Sequence, residues 1–269
     1  ATNISQAAIA ILLATMGYGY MSLAWAGLGI VVRTVVLAIF RPKNTFLMPS
    51  FSGMKEVFHY GSMFAFSRIA ESTTANIHEF IIARQFGFAS LGIFSRAIGL
   101  VGMLYQLVTS AIVRVATPAF ALDFRSGASL ADAFSRATAI FTVIAWPFLG
   151  FIAICSFEII DVMFGNQWVA ASHLASYIAI GCMITSLSVF TPNILVATGQ
   201  VGARMKIALL YLPCHLLGML LASFVDLTTV AQFWIVSSVI SFSLNVHFLS
   251  RTIQVSIAKL LTPSIQSLI

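Results

Sequence analysis

Apolar runs long enough to cross a lipid bilayer recur along the whole of this chain, and that feature leaves few folds open to it. A helix needs about 20 predominantly apolar residues to span the hydrocarbon core, and segments such as Phe134–Phe157 and Thr229–Ser250 supply them with hardly a charge. Composition matters here for one reason, the shortage of residues able to face water. Asp, Glu, Lys and Arg make up only 8% of the 269 residues and hydrophobic ones 59%, whereas a soluble domain carries about a quarter charged residues. The mean hydropathy is +0.99. The fold class expected is therefore all-α integral membrane.

Apolar runs set against breakers give about eight spans: Ile4–Tyr18, Met21–Phe40, Val57–Arg84, Leu91–Ala119, Phe134–Phe157, His173–Ala197, Lys206–Phe224 and Thr229–Ser250. Thr252–Ile269 reads as an amphipathic tail or the start of a further helix. The connections Gly19-Tyr20, Phe86–Ser90 and Val225–Thr228 are short, so successive spans alternate in direction. No charged region precedes the first apolar segment, so that segment does not read as a signal peptide, and the sequence reads as a piece of a longer protein. Pro42–Lys55, with Pro42, Pro49 and Gly53, is the longest connection and reads as a linker between two helical bundles. The division expected is 1–41, a linker 42–56, a bundle 57–250 and a tail 251–269.

Charge placement orients the spans. Arg41, Lys43, Lys55, Arg125, Arg136, Arg204, Lys206, Arg251 and Lys259 fall on one set of connections. The other set has Arg84 with Glu158, Asp161 and Asp226. Basic residues accumulate on cytoplasmic loops, so the first set is assigned to the cytoplasm. The net charge of +6 is scattered singly over span ends rather than gathered in a patch, which argues against nucleic acid. Cys155, Cys182 and Cys214 stand apart within apolar spans. They offer no disulfide framework or metal spacing and are expected to be core residues.

The third span is the unusual one. It carries Arg68, Glu71, Asn76, His78, Glu79 and Arg84, and charge inside hydrocarbon normally faces a protein interior or a hydrated cavity. At about 100° per residue, Arg68, Glu71 and Glu79 share one face, with Asn76 and His78 flanking it. One reading is a cavity-lining helix that meets a polar head group or an ion. The other is that Arg68 and Glu71 neutralise each other at i, i+3 while Glu79 and Arg84 reach the interface. Arg96 and Arg114 lie on one face of the fourth span about 27 Å apart, placed either to snorkel to both interfaces or to bind phosphate through their planar forks. Pro118, Pro147, Pro192 and Pro213 recur inside later spans and are expected to kink them; Thr191-Pro192-Asn193 sets the Asn193 amide beside such a kink. His78 and Glu79 diverge on the helix with no second ligand at i+4, so no metal site is expected. No phosphate loop, HExxH or nucleophile elbow is present, and no enzyme or cofactor chemistry is expected.

Four segments resemble a known family. Ile82-Ala-Arg-Gln-Phe-Gly-Phe-Ala-Ser-Leu-Gly-Ile-Phe-Ser-Arg-Ala97 resembles the "IGrflGpealGyYsrA" run of the polysaccharide flippases (the Wzx type). Ser110-Ala-Ile-Val-Arg-Val-Ala-Thr-Pro-Ala119 is similar to their "ssaisRvlfPal", Phe164-Gly-Asn-Gln-Trp-Val-Ala-Ala171 to "lGekWapA", and Val196-Ala-Thr-Gly-Gln-Val-Gly202 to "llAtGrpd". The resemblance implies the multidrug/oligosaccharidyl-lipid/polysaccharide exporter fold of two six-helix lobes. The first two spans would then end an N-terminal lobe, and Val57 onward would form a six-helix C-terminal lobe. It implies a multi-pass protein of the bacterial inner membrane that flips undecaprenyl-pyrophosphate-linked oligosaccharide to the outer leaflet by alternating access. Its partners would be that substrate, the membrane lipids and a coupling ion, H+ or Na+. Arg96 and Arg114 match motif positions. Many members carry Asp where His78 stands and Asn where Glu79 stands, a departure in this chain. The competing readings are a multidrug or peptidoglycan-precursor exporter of the same fold, and a membrane polymerase or ligase, for which no loop here is long enough.

Overall fold

The computed structural model describes residues 54–253 and, before them, residues 10–13, 15–17, 21, 22, 25, 27 and 28. Contacts divide the chain into two compact units, Ala1–Met54 and Lys55–Ile269. In the first, the described residues are helical apart from a turn at 16 and 17. Most of the expected spans Ile4–Tyr18 and Met21–Phe40, the linker Pro42–Lys55 and the tail Thr252–Ile269 lies outside the described residues.

Every regular element described in the second unit is helical. In chain order these are α1 (Met54–Ser126), α2 (Leu130–Phe164), a 3-10 turn (Asn166–Trp168), α3 (Ala171–Ser186), α4 (Thr191–Ala197), α5 (Val201–Ser223) and α6 (Leu227–Ile253). Five stretches are long and apolar enough to cross a membrane: Phe58–Ser126, Leu130–Phe164, Ala171–Ala197, Val201–Ser223 and Leu227–Thr252. The described residues thus show an all-α membrane protein, while the expected count of about eight spans extends beyond them.

The first stretch is really two. α1 has 73 residues, which as one rod would be about 110 Å long, more than three times the hydrocarbon thickness of about 30 Å. It breaks at Gly87, where φ is 81° and ψ 173°, a conformation that costs glycine nothing and other residues a good deal. The His78 and Phe94 rings are 5.7 Å apart, although a straight helix would hold them about 24 Å apart. α1 therefore folds back on itself as arms 54–86 and 88–126. The expected separate spans Val57–Arg84 and Leu91–Ala119 fall within these two arms. One glycine replaces the loop Phe86–Ser90, and the second arm continues through Pro118 to Ser126.

His173–Ala197 corresponds to the stretch Ala171–Ala197, whose helix is interrupted over 187–190 into α3 and α4. Pro192 sits in the first turn of α4, where its missing N–H costs nothing, and tight turns such as Leu187 N–H to Ile184 C=O bridge the gap. Pro118, Pro147 and Pro213 lie inside continuous helices, and the non-helical residues of those helices are Gly87 and Cys155. The Ser129 side chain caps the start of α2 by accepting from Asp132 N–H. Asp226 caps α6 by accepting from Thr229 N–H at 2.6 Å, and hydrogen bonding from Thr229 holds its exposed carboxyl below the usual carboxylate range.

Packing is that of a protein whose solvent is lipid. Ile69, Phe80, Val115, Ile154 and Val162 are exposed, while buried positions include Ser67, Thr138, Thr142, Ser172, Ser186, Ser237 and Ser238. Between helices in lipid, close approach and polar contacts replace the hydrophobic drive. Gly181 and Gly218 show the approach. A Cβ on Gly181 would lie 2.7 Å from Trp234 Cδ1, and one on Gly218 would collide with the Phe233 ring, so α3 and α5 both press on α6. An edge-to-face cluster of Tyr105, Phe120, Phe141 and Phe190 joins the second arm of α1 to α2 and to the turn before α4. Cys214, expected in the core, is exposed; facing lipid costs a small apolar side chain nothing.

Candidate functional site

A cavity of about 450 Å³ lies inside the second unit, walled by the first arm of α1 and by α3 to α6, with Ile98 of the second arm. From the first arm come Glu71, Thr74, Ala75 and His78; from α5, Arg204, Ile207, Ala208, Tyr211 and His215; from α6, Trp234, Ser237, Ser238, Ser241 and Asn245. Cys182 and Thr185 of α3 and Pro192 and Leu195 of α4 complete the wall.

Glu71 is the hub of one end. Its Oε1 accepts from Arg204 Nε at 2.8 Å and its Oε2 from Arg204 Nη2 at 2.8 Å, the parallel two-bond geometry in which a guanidinium binds a carboxylate or phosphate most strongly. Arg68 Nη1 reaches Oε2 at 3.0 Å. The Arg204 side chain is 11% exposed, Glu71 35% and Arg68 62%. The Arg204 guanidinium also lies over the Phe64 ring, 5.2 Å from its centroid.

Deeper along α5, the Tyr211 hydroxyl and Ser237 Oγ are 2.7 Å apart, and Ser237 Oγ is 2.5 Å from His215 Nδ1. Trp234 stands against both His78 and His215. At 1.5 Å per residue, His215 lies about 16 Å along α5 from Arg204, and His78 about 10 Å along the first arm from Glu71.

The sequence expectations meet this geometry unevenly. Taking Glu71 as zero and 100° per residue, Thr74, Ala75 and His78 fall between about −60° and +40°, the cavity sector. Arg68, Glu79 and Asn76 fall between about +60° and +140°. They are exposed and do not line the cavity. The apolar Ile69, Phe80 and Phe66, also exposed, occupy a third sector at about 160° to 220°. The expected stripe is therefore split at this cavity: Glu71 faces inward to the counter-charge of Arg204, and His78 stands against the Phe94 and Trp234 rings. Asn76 donates to Ser72 C=O at 2.7 Å.

Arg96 packs against aromatic rings, its guanidinium 4.9 Å from the Trp168 centroid and 5.5 Å from that of Phe164. Arg114 is exposed. Asn193 donates to Thr117 Oγ1 at 2.9 Å, joining α4 to the second arm outside the cavity. Among the described residues no group of three or more His, Cys, Asp and Glu could hold a metal ion.

Arg204 enters the sequence reading only as a basic residue between spans, Tyr211, Trp234 and Ser237 are not marked by it, and His215, a lone His after Pro213, reads there as hydrogen-bonded packing. The signal was present. Arg204, Ala208, Tyr211 and His215 stand at i, i+4, i+7 and i+11 and share a sector about 60° wide, a polar stripe on an otherwise apolar helix.

Comparison with known proteins follows the same direction. The chain is 26% identical over 264 residues to the teichuronic acid biosynthesis protein TuaB of Bacillus subtilis (strain 168), an overlap of 90% of this chain and 53% of that protein. The chain thus spans about half the length of this curated relative. No solved structure matches it. Residues 1–173 match the family described as polysaccharide biosynthesis protein, in keeping with the resemblance drawn from the four motifs. The chain belongs to the polysaccharide biosynthesis protein family.

Proposed function

We propose that this chain is the second half of an exporter that flips a lipid-linked oligosaccharide across the bacterial inner membrane by alternating access, without covalent chemistry. The observation that carries the reading is the two-bond grip of Arg204 on Glu71 at the cavity wall. A phosphate oxygen pair fits the same guanidinium fork as a carboxylate. Glu71 then serves as the resting counter-ion of a site whose working ligand is the pyrophosphate of the lipid carrier. Two guanidiniums share one carboxylate, which leaves an excess positive charge to attract that head group. When the head group arrives it displaces Glu71 from Arg204, and Glu71 stays paired with Arg68. Arg204 lies near the start of α5, at the end that the basic loops assign to the cytoplasm, where such a substrate is loaded. The family match and the similarity to a teichuronic acid biosynthesis protein support a polysaccharide cargo.

The test is export by the full-length protein in cells, measured as lipid-linked oligosaccharide reaching the outer leaflet at matched protein level. Arg204→Lys is expected to lower export at least about tenfold, because charge stays while the bidentate fork is lost. Normal export by both Arg204→Lys and Arg204→Gln would make the ion pair purely structural and end the proposal.

A further inference from the structure

The cavity wall holds two buried imidazoles that the grip on a head group does not use. His78 is 4% exposed and His215 3%. They come from different helices and stand against the same indole, with ring centroids 5.4 Å and 6.3 Å from Trp234 and interplanar angles of 76° and 84°. His78 Nδ1 and His215 Nε2 are buried without a hydrogen-bond partner, although both residues line the cavity. Buried polar nitrogens are normally satisfied, and two unsatisfied ones in one cavity mark a place built for a guest.

We propose that His78 and His215 form a proton-loading site that controls the Glu71–Arg204 ion pair through the shared cavity. The titratable groups facing this space are Glu71 and His78 from the first arm, Cys182 from α3, and Arg204, Tyr211 and His215 from α5; the linings from the second arm, α4 and α6 carry none. His215 can take a proton without losing a bond. In the neutral state Tyr211 O–H donates to Ser237 Oγ and Ser237 O–H donates to Nδ1. A proton arriving at Nδ1 reverses the relay: Nδ1–H donates to Ser237 Oγ, Ser237 O–H to the Tyr211 oxygen, and the Tyr211 hydroxyl hydrogen turns away. His78 offers its own unpartnered nitrogen to the cavity, and the rings of Trp234 and Phe94, at 5.4 Å and 5.7 Å, favour a cation beside them.

The loaded charge has one carboxylate facing it, Glu71, which already serves Arg204 and Arg68. Proton loading thus sets a third cation around one anion. It weakens the grip of Glu71 on Arg204 and raises the affinity of the cavity for an external anion. The device holds whatever that anion is, and its failure would leave the flippase reading standing.

The indole that touches both imidazoles is the reporter, because imidazolium quenches indole fluorescence. The experiment is a pH titration of the purified full chain in detergent, from about pH 4 to pH 8, the range across which imidazoles change charge. The Trp234 component is taken as the difference between the wild type and Trp234→Phe. A pH-dependent component is expected. It should be lost in His78→Gln/His215→Gln, and its midpoint should move to lower pH in Glu71→Gln, where the negative charge favouring imidazolium is gone. Nitrogen-15 spectra of the five labelled histidines give the same reading without His substitution, since His59, His173 and His247 are exposed and serve as internal controls. No buried imidazole titrating in this range, or a Trp234 component that survives the double substitution, overturns the site. A midpoint indifferent to Glu71→Gln overturns its link to the ion pair.

Discussion

Replacing Glu71 by Gln should destabilise this unit more than replacing Arg204 by Met, although the two substitutions cut the same pair. Glu71→Gln strands Arg204, whose side chain is 11% exposed and loses two charge-assisted bonds of 2.8 Å. Breaking a buried pair by removing one partner costs about 3–5 kcal/mol. Here the carboxylate is 35% exposed, so screening lowers the expected cost to about 2 kcal/mol. Arg204→Met keeps an apolar stem near Phe64 and leaves Glu71 bound to Arg68 at 3.0 Å, so its cost should be about 1 kcal/mol. The double variant should be about as stable as Arg204→Met alone, a coupling of about 1–2 kcal/mol. The assay is reversible unfolding in mixed micelles as denaturing detergent is titrated in, followed by far-ultraviolet dichroism. If Glu71→Gln costs no more than Arg204→Met, or the two costs add, the burial argument behind the site is wrong.

Arg96→Lys should retain most of the stability given by the contacts with Trp168 and Phe164, while Arg96→Leu should lose about 1 kcal/mol in the same unfolding assay; equal losses would mean that the aromatic contact is not what holds Arg96. Spin labels at Arg68 and Glu79 should be reached by a water-soluble relaxation agent, and labels at Ile69 and Phe80 by oxygen dissolved in lipid. The reverse pattern would remove the three-sector reading of the first arm.

Hydropathy made the helices of the second unit legible, because bilayer thickness leaves little choice of length. The reversal at Gly87 was visible as a glycine between two apolar runs, but not that one residue would suffice, since that depends on its φ of 81°. The site was half legible. Glu71 and His78 stood out as polar groups in a span. Their partners did not, because Glu71 and Arg204 are 133 residues apart and no local pattern pairs them. Arg68 and Glu79 were as visible in the sequence as Glu71, but which group turns toward the wall of this cavity depends on Arg204 across it and not on the first arm alone. Arg96 shows the same limit, since its place at a span end was readable and its stacking on Trp168 was not.

If the proposed phosphate ligand binds here, the ion triad would also order the steps of its binding. Arg68 holds Glu71 through one bond at 3.0 Å and is 62% exposed, so water can replace that bond at little cost. Arg204 holds the same carboxylate through two bonds at 2.8 Å and has little access to solvent, so only another anion can replace Glu71 there without stranding a charge. On the proposed reading, an arriving phosphate would therefore meet Arg68 first, through exposure, and gain Arg204 second, through exchange. Released from Arg204, Glu71 stays within reach of Arg68 only if the phosphate does not hold both guanidiniums at once. One carboxylate and one phosphate would thus distribute over two cations with each buried charge paired throughout. An Arg204–Glu71 pair without Arg68 beside it would be neutral and would have no charge to draw the proposed ligand in, whereas Arg204 without Glu71 would be stranded whenever the ligand left.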